Sequence, residues 1–430
     1  MSDFSILKER LQSSLWFVPS VMVVGAMALS LVTTTLDDML EARPFTELIF
    51  TGGPDSARSI LQTVAGSVIT FTALVFSITI VALQLSSQQF SPRVLRTFLR
   101  DTQSKVALGM FISTFIYCLM VLRVISAAED RGVTLPSISM MVLLVLVLAS
   151  VAMFVSYISH MAHSIRVSNI VAAVGTEARD LIGSLEGPHS GPNGDRWLVD
   201  QPAGDVVKVR DAGTLTTLDH ARLIELAADS NVALVLKMGV GDFVAHGQDL
   251  VEVHGAGEVD HDAVYDLATV GLERTMQQDF AFGIRQLVDI AEKALSPSVN
   301  DPTTAVMALD QIHDVMRRMV WRPFPPTEHV DGEGIVRLVT KEWDWEALVA
   351  LAFTEIRQFS GSSVQVKRRM MAILQDLVGA ASPERRECLE REAQRLTASV
   401  DLSFDQPHDR EMAVRPDPQG IGTVKGSPGR

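Results

Sequence analysis

Cysteine is scarce in this sequence, with Cys118 and Cys388 the only two among 430 residues. The first lies in an apolar run and the second near the C-terminus, so they provide no disulfide framework. Neither belongs to a Cys/His pattern with zinc-ligand spacing. We therefore predict no metal site and no cofactor.

An excess of basic residues is also missing, since the formal net charge is −14. Residues 1–160 contain ten Lys and Arg and ten Asp and Glu, so residues 161–430 carry all of the negative charge. A nucleic-acid-binding surface needs clustered Lys and Arg. The charge balance therefore predicts that nucleic acid is not a partner.

Familiar catalytic motifs are lacking too. The sequence contains no P-loop, no nucleophile elbow, no HExxH and no carboxylate cluster with metal-ligand spacing. An enzyme is therefore the least favoured functional class, although a missing motif does not exclude one.

Long apolar runs, in contrast, are plentiful in the first 160 residues. A helix that crosses the roughly 30 Å hydrocarbon core of a bilayer needs about 20 apolar residues. Four stretches meet this requirement, at residues 15–36, 63–85, 106–127 and 138–159. Because they are almost free of charge, they predict a four-span transmembrane domain at residues 15–160, with the lipid bilayer as partner.

The loops between these runs differ in their content of Lys and Arg. The N-terminal segment 1–14 carries Lys8 and Arg10, and four basic residues lie between positions 93 and 105. The other two loops have fewer, and those of the first loop are diluted by acidic residues. Positive loops stay on the cytoplasmic side. We therefore expect a multi-pass protein of the inner (plasma) membrane with both termini in the cytoplasm.

The second span has an ordered polar pattern. Hydroxyl and amide side chains recur at spacings of 4, 3, 7 and 7, at Thr63, Ser67, Thr70, Ser77 and Gln84. These positions stay within about 100° of arc on one helical face. The face either packs against other helices through its small hydroxyl residues or lines a water-filled path. Gln89 and Arg93, just beyond it, are candidates for the cytoplasmic mouth of such a path.

The rest of the chain predicts a mixed α+β cytoplasmic domain that follows the α-helical membrane domain with four transmembrane helices. Residues 161–200 are expected to form a membrane-proximal helix and a Gly/Pro-rich loop. Alternating apolar and polar residues then predict a small β-module at 201–258. Residues 259–400 are expected to be mainly helical, and the polar segment 401–430 to be disordered.

One segment of the β-module, GDFVAHGQDLVEV from Gly241, resembles the second hairpin of biotinyl- and lipoyl-type domains. A Gly-Asp turn begins at Gly241, Gly247 permits a second turn, and Val244 and Leu250 are expected to point inward. In those domains the modified lysine lies on the preceding hairpin, well before this turn. Lys237 is therefore in the wrong place, and we expect the shape of that fold without its prosthetic group.

Two features of the helical region are candidates for a polar site. Arg285 and Asp289 lie four residues apart on one side of an amphipathic helix, a spacing that suits an ion pair. A solvated salt-bridge ladder explains the same spacing. Asp301 before Pro302 is a natural helix N-cap, and the threonines that follow place hydroxyls beside backbone N–H groups that attract anions. A purely structural cap explains the same residues.

Two long stretches resemble the bacterial predicted membrane proteins called domain of unknown function 2254. They are SVITFTALVFSITIVALQLSSQQFSPRVLRTFLRD and DFAFGIRQLVDIAEKALSPSVNDPTTAV, and the likeness extends over residues 10–400. The resemblance implies four spans and a cytoplasmic region, and it implies no activity. The most family-like polar positions are Gln89, Pro92, Arg93, Asp279, Arg285, Asp289, Ser296, Asn300, Asp301 and Pro302. The candidate cytoplasmic polar site comprises Asp279, Arg285, Asp289, Ser296, Asn300, Asp301, Thr303 and Thr304.

Two functions remain open. The chain is either a subunit of an oligomeric ion channel or transporter with a cytoplasmic regulatory domain, or a membrane-anchored ligand-binding or regulatory module. One span suffices for an anchor, so four spans with an ordered hydroxyl face favour the first function. Four helices alone form a thin conduit, and a channel therefore requires a homo-oligomer. The sequence does not identify the ion or small-molecule ligand.

Overall fold

The computed structural model describes residues 16–39, 54–89, 102–129, 137–164, 166–184 and 194–417. Its contacts divide the chain into two compact units, Met1–Asn169 and Ile170–Arg430. The first unit contains long apolar helices and the second a mixed α/β region with small sheets. The predicted fold class is therefore confirmed.

Four helices in the described part of the first unit are long and apolar enough to cross a membrane, as predicted. They are α1 (Phe17–Met39), α2 (Pro54–Gln89), α3 (Thr102–Glu129) and α4 (Ser137–Ser164). The helix α2 is longer than the apolar run that predicted it. It starts at Pro54, a residue favoured in the first turn of a helix, and it continues through polar residues to Gln89.

The third helix is the centre of this unit, because α3 makes more extensive contacts with the other three than any of them makes elsewhere. Its Phe111, Tyr117 and Val121 are completely buried. At Gly109 the backbone of α3 comes so near α1 that a Cβ atom would lie 2.5 Å from Sδ of Met22. A larger residue at this position would separate the two helices.

Buried hydrogen bonds join the four helices at a few points. The hydroxyl of Tyr117 shares a 3.0 Å hydrogen bond with Thr33 of α1 and donates to the carbonyl of Ser139 on α4 at 3.1 Å. Tyr157 of α4 shares a 2.6 Å hydrogen bond with Thr79 of α2. Polar groups in an apolar interior need such partners, because no water or lipid headgroup reaches them there.

Two sheets form the β part of the second unit. The strands are β1 (Ala203–Lys208), β2 (Gly213–Leu218), β3 (Ala233–Leu236), β4 (Phe243–Val244), β5 (Asp249–His254), β6 (Ala268–Gly271), β7 (Glu328–Val330) and β8 (Val336–Val339). One sheet has the order β1-β5-β3-β8-β7 and the other β4-β2-β6. Among the strands of the described residues, β3 and β8 form the parallel pair, with Leu234 opposite Leu338, and both of these leucines are completely buried.

The β-structure differs from the predicted module in two ways. It does not end at residue 258, because β6, β7 and β8 come from later sequence. The segment from Gly241 is also not a hairpin, since β4 pairs with β2 whereas β5 pairs with β1 and β3. Its local features are as predicted, with φ of +95° at Gly241 and +77° at Gly247, and with Val244 and Leu250 completely buried. Turn chemistry determines where a chain bends, but not which strand it then meets.

Helices complete the second unit. They are α5 (Val167–Ser184), α6 (His220–Asp229), α7 (His261–Asp266), α8 (Phe280–Leu295), α9 (Pro302–Met319), α10 (Trp345–Phe359), α11 (Val364–Ala380), α12 (Pro383–Ser403) and α13 (Pro407–Val414). An aspartate carboxylate accepts a backbone N–H at the start of five of them. These N-caps are Asp219, Asp260, Asp279, Asp301 and Asp344. Each satisfies a donor that the first turn would leave unpaired.

The prediction of disorder from residue 401 is wrong for the part of this segment that the structure describes. Residues 401–403 finish α12, and α13 follows at Pro407–Val414. Nε of Arg368 on α11 donates to the carbonyl of Met412 at 2.6 Å, and Ala413 is completely buried. The polar composition of this segment predicted disorder, but α13 packs against the rest of the unit through the buried Ala413. Residues 418–430 of the predicted tail lie outside the described residues.

Candidate functional site

The polar face of α2 lies on the surface of the described helices. Thr63, Ser67, Thr70, Ser77 and Gln84 are all exposed. Three of the hydroxyls donate to the carbonyl four residues earlier in the same helix, Thr63 and Ser67 at 2.8 Å and Thr70 at 2.9 Å. These groups are therefore satisfied within α2 and do not require a partner on another helix.

The opposite side of α2 makes the contacts within the chain. Val68 and Val75 are buried there, and Thr79 bonds to Tyr157 of α4. The polar face consequently points away from the other described helices of its own unit.

The proposed mouth of the path is only partly described. Gln89 is the last residue of α2. Its side chain, and all of Arg93, lie outside the described residues. Their role as a mouth stays a prediction.

The eight residues of the candidate polar site fall into three separate places along α8 and the turn after it. Asp279 is the N-cap of α8, Arg285 and Asp289 lie in its middle, and the other five belong to the turn into α9. Residues 279 and 289 are about 15 Å apart along a helix that rises 1.5 Å per residue. The structure therefore does not bring all eight together.

The turn from α8 to α9 is explained by its own hydrogen bonds. The hydroxyl of Ser296 donates to the carbonyl of Lys293 at 2.7 Å, and Asn300 adopts a φ of +47°, which asparagine tolerates. One oxygen of Asp301 accepts the backbone N–H groups of Thr303 and Thr304, and the other accepts the hydroxyl of Thr304 at 2.5 Å. The N–H groups that were candidates for an anion are thus already occupied, as a structural cap requires.

The middle of α8 carries a denser cluster than the predicted ion-pair ladder. Nε of Arg285 donates to Asp289 at 2.6 Å, and Glu292 lies 3.4 Å from the same guanidinium group. Glu355 of α10 forms a further ion pair with Arg285. Asp289 is nearly buried. Burial, reinforced by the neighbouring Glu355, raises the pKa of Glu292 to about 7.

Asp279, at the start of α8, lies where the loops after the parallel strands β3 and β8 meet. Its side chain is completely buried, pairs with Arg274 and accepts the N–H of Phe282 at 3.1 Å. Burial raises the pKa of Asp279 even though Arg274 opposes the shift. Glu342, two positions beyond Thr340 in the loop after β8, also has a raised pKa because of burial and of the charge on Asp279.

Two glycines allow these loops to come together. A Cβ at Gly241 would lie 2.3 Å from Oδ2 of Asp279, and one at Gly239 would lie 2.8 Å from the carbonyl oxygen of Lys341. Oδ2 of Asp242 accepts the N–H of Gly239 at 2.9 Å and lies 3.8 Å from Nζ of Lys341. A buried and a partly buried carboxyl group with raised pKa values hold a proton more readily than exposed ones and can receive a cationic or hydrogen-bonding ligand.

Asp279 was predicted from the sequence, whereas Arg274, Glu342 and the meeting of the two loops were not. The loop glycines of KMGVGD were a usable signal, because backbone that approaches another chain segment closely favours glycine. The pairing of β3 with β8, about a hundred residues later, carries no local signal. Among the described residues, no three His, Cys, Asp or Glu side chains are placed to hold a metal ion.

The four apolar helices, which are candidate membrane spans, and the α/β unit are the features of a membrane protein. The family model named "Predicted membrane protein (DUF2254)" matches residues 12–376, and the chain belongs to this family. Uncharacterised proteins of Mycobacterium bovis and Mycobacterium tuberculosis are each 29% identical to it over 421 residues, which cover 94% of this chain and 80% of each relative. No solved structure matches the chain significantly.

Proposed function

We propose that the protein is a subunit of a homo-oligomeric channel or transporter in which the polar face of α2 lines a hydrated path. The observation that carries this proposal is the direction of that face. Its hydroxyls point away from α1, α3 and α4. Those of Thr63, Ser67 and Thr70 donate their protons within α2, which leaves the lone pairs of each oxygen open to a passing cation or to water. A face directed only at lipid gains nothing from repeated hydroxyl groups.

The orientation and location that we expect support a path of this kind. Both termini in the cytoplasm would place the second unit at the cytoplasmic end, where it can regulate passage. Reporter fusions at residue 161 and near residue 50 should report opposite sides of the inner membrane. A periplasmic signal from the fusion at 161 would reverse the orientation.

Thiol accessibility tests the path directly. Single cysteines replace Ser67, Thr70 and Ser77 in a chain whose Cys118 and Cys388 are changed to alanine. A small water-soluble thiol reagent should modify all three in intact membranes, because the proposed path is hydrated.

The matched controls are Ile69→Cys and Phe76→Cys. Both side chains are exposed in the described helices, 47% and 57%, but lie on a different face of α2. They should stay unmodified in lipid. Modification of all five positions would indicate general exposure to water, and modification of none would rule out a hydrated path.

Cross-linking tests the oligomer separately. A cysteine at Thr63 or Thr70 should form a disulfide between two copies on oxidation, since the proposal places α2 helices around a common axis. Cysteines at positions 69 and 76 should not. A monomer in detergent that yields no cross-link in membranes would end the channel proposal.

The cluster around Asp279 favours a second function, a membrane-anchored ligand-binding or regulatory module in which the spans serve as anchor and oligomerisation unit. The carboxyl groups of Asp279 and Glu342, beside the loop that carries Gly239 and Gly241, suit a small polar ligand. A dry α2 face together with a dimer or monomer in detergent would support this function over a channel.

A further inference from the structure

Arg285 is surrounded by more carboxylates than one guanidinium group can neutralise. Asp289 and Glu292 reach it from its own helix α8, and Glu355 reaches it from α10. Arg285, Asp289 and Glu292 are all mostly buried, with exposed side-chain fractions of 19%, 8% and 19%. One cation therefore faces three acidic groups at a place where water screens charge poorly.

Two of these acidic groups also interact with each other across the helix pair. The carboxyl groups of Glu292 on α8 and Glu355 on α10 approach the same guanidinium group, at Nη2 and Nη1 of Arg285, and among the described residues Oε1 of Glu292 is buried without a hydrogen-bond partner. A hydrogen bond between two carboxyl groups needs a proton, because two ionised carboxylates have no donor to offer. A proton held between these two carboxyl groups would supply the partner that the buried oxygen of Glu292 lacks.

We propose that Glu292 and Glu355 share a proton that holds α8 against α10, and that loss of this proton as the pH rises towards neutrality loosens the contact. The inference concerns only the second unit and does not depend on a hydrated path along α2. Deprotonation would leave three carboxylates facing one guanidinium group, which already pairs with Asp289 and Glu355. Repulsion between Glu292 and Glu355 would then separate the two helices locally.

The pKa of Glu292 agrees with this arrangement. Burial raises it to about 7 from 4.5, and Glu355 raises it further than Arg285 lowers it. The folded protein therefore keeps a proton that the unfolded chain releases above a pH of about 4.5. Stability from this group is complete below that pH and is lost as the pH rises to about 7, with little further change above.

Other charged groups near α8 are engaged elsewhere or lie further along the helix. Lys293 lies one turn beyond Asp289 on α8. Arg179 of α5, which packs on the other side, bonds to Gln311 at 2.7 Å and lies 3.2 Å from Asp314 of α9. Asp310 of α9 pairs with Arg369 of α11 at 2.6 Å. The groups that act on Glu292 thus come from α8 and α10.

Hydrogen–deuterium exchange of the full-length protein in detergent tests the proposal. Peptides from α8 and α10 are followed at pH 5, 6, 7 and 8, with correction for the intrinsic exchange rate. The opening constant of these peptides should increase about tenfold from pH 5 to pH 7 and level off above pH 7. Release of one proton over two pH units would give at most about a hundredfold increase, and partial exposure of the carboxyl groups to water reduces it.

Glu292→Gln is the decisive variant, because its amide donates to Glu355 at every pH as the shared proton does. Its α8 and α10 peptides should stay protected from pH 5 to pH 8. Glu355→Gln should give the same flat profile and replaces the first variant if that does not fold, since Glu355 is 43% exposed.

Glu346→Gln is the matched control on the same helix. Glu346 is 72% exposed and pairs with Arg391 at 2.7 Å, away from the cluster. This variant should keep the wild-type pH profile. The proposal is wrong if wild-type exchange in α8 and α10 does not change with pH, or if Glu292→Gln and Glu355→Gln keep the wild-type slope.

Discussion

Asp37 should be among the most important single side chains for the stability of the apolar helices. It lies near the end of α1, and its carboxylate reaches the first turn of α4. One oxygen accepts the N–H of Ile138 at 2.7 Å, and the other accepts the N–H and the hydroxyl of Ser139 at 3.0 Å and 2.7 Å. An aspartate on one helix thus serves as the N-cap of another.

The cost of Asp37→Ala follows from these three bonds. Loss of a helix N-cap costs about 1 kcal/mol, and a buried donor that loses a charged acceptor costs about 1 kcal/mol more. The expected total is about 2 kcal/mol. At about 3 °C per kcal/mol for a domain of this size, the midpoint of thermal unfolding in detergent should fall by about 6 °C. Asp37→Asn keeps one acceptor and should lose about half as much.

Asp55→Ala provides the control for this measurement. Asp55 lies in the first turn of α2, is 94% exposed, and is 4.0 Å from Arg58. Its removal should leave the midpoint within about 2 °C of wild type. Equal midpoints for Asp37→Ala and Asp55→Ala would refute the assignment of Asp37 as a cap between helices.

Three further predictions concern the stability of the second unit. Gly241→Ala should lower the free energy of unfolding by at least about 2 kcal/mol, because φ is +95° there and the new Cβ would meet Asp279. Gly247→Ala should lower it by only about 1 kcal/mol, because φ is +77° but the surrounding space is open. His329 stacks on His220 with ring centroids 4.9 Å apart, and burial lowers the pKa of His329 to about 4 from 6.5. The unfolded chain therefore takes up this proton first as the pH falls below 6.5, so stability should decrease by about 1 kcal/mol at pH 5 after allowance for screening, and His329→Phe should reduce that loss. Lys367→Met should raise the free energy of unfolding at pH 7 by about 1 kcal/mol, because burial lowers the pKa of Lys367 to about 8 and the substitution removes a desolvated cation. A decrease would show that the 3.1 Å hydrogen bond from Lys367 to Ser399 matters more than the desolvation of Lys367.

Features with a local cause were predictable from the sequence. The four apolar helices follow from run length alone, because a bilayer imposes that length. The cap at Asp301 follows from the order Asp-Pro at a helix start. The bends at Gly241 and Gly247 follow from the conformations that only glycine adopts easily.

Features that depend on distant partners were not predictable. The chain from β3 to β8 contains seven other elements, so nothing near Asp279 indicated that Glu342 would lie beside it. Burial of Lys367, Arg368 and Arg369 was equally hidden, since three consecutive basic residues usually lie on a solvated surface. They are buried because successive residues point 100° apart on α11, towards Ser399 of α12, the carbonyl of Met412 on α13 and Asp310 of α9.

The carboxylates in the acidic part of the chain fall into two groups, those that cap helices and those that are buried without capping one. Asp219, Asp260, Asp301 and Asp344 accept backbone N–H groups at helix starts, so their charges are already used. Glu292 and Glu342 cap nothing, and their pKa values are raised mainly because burial disfavours the ionised form. Burial of a carboxyl group costs free energy, and here no hydrogen bond to a helix N-terminus offsets it. Such a residue is expected only where another constraint keeps the carboxyl group in place. The two positions that the sequence did not single out are therefore the ones at which proton binding, rather than helix capping, best explains an acidic residue.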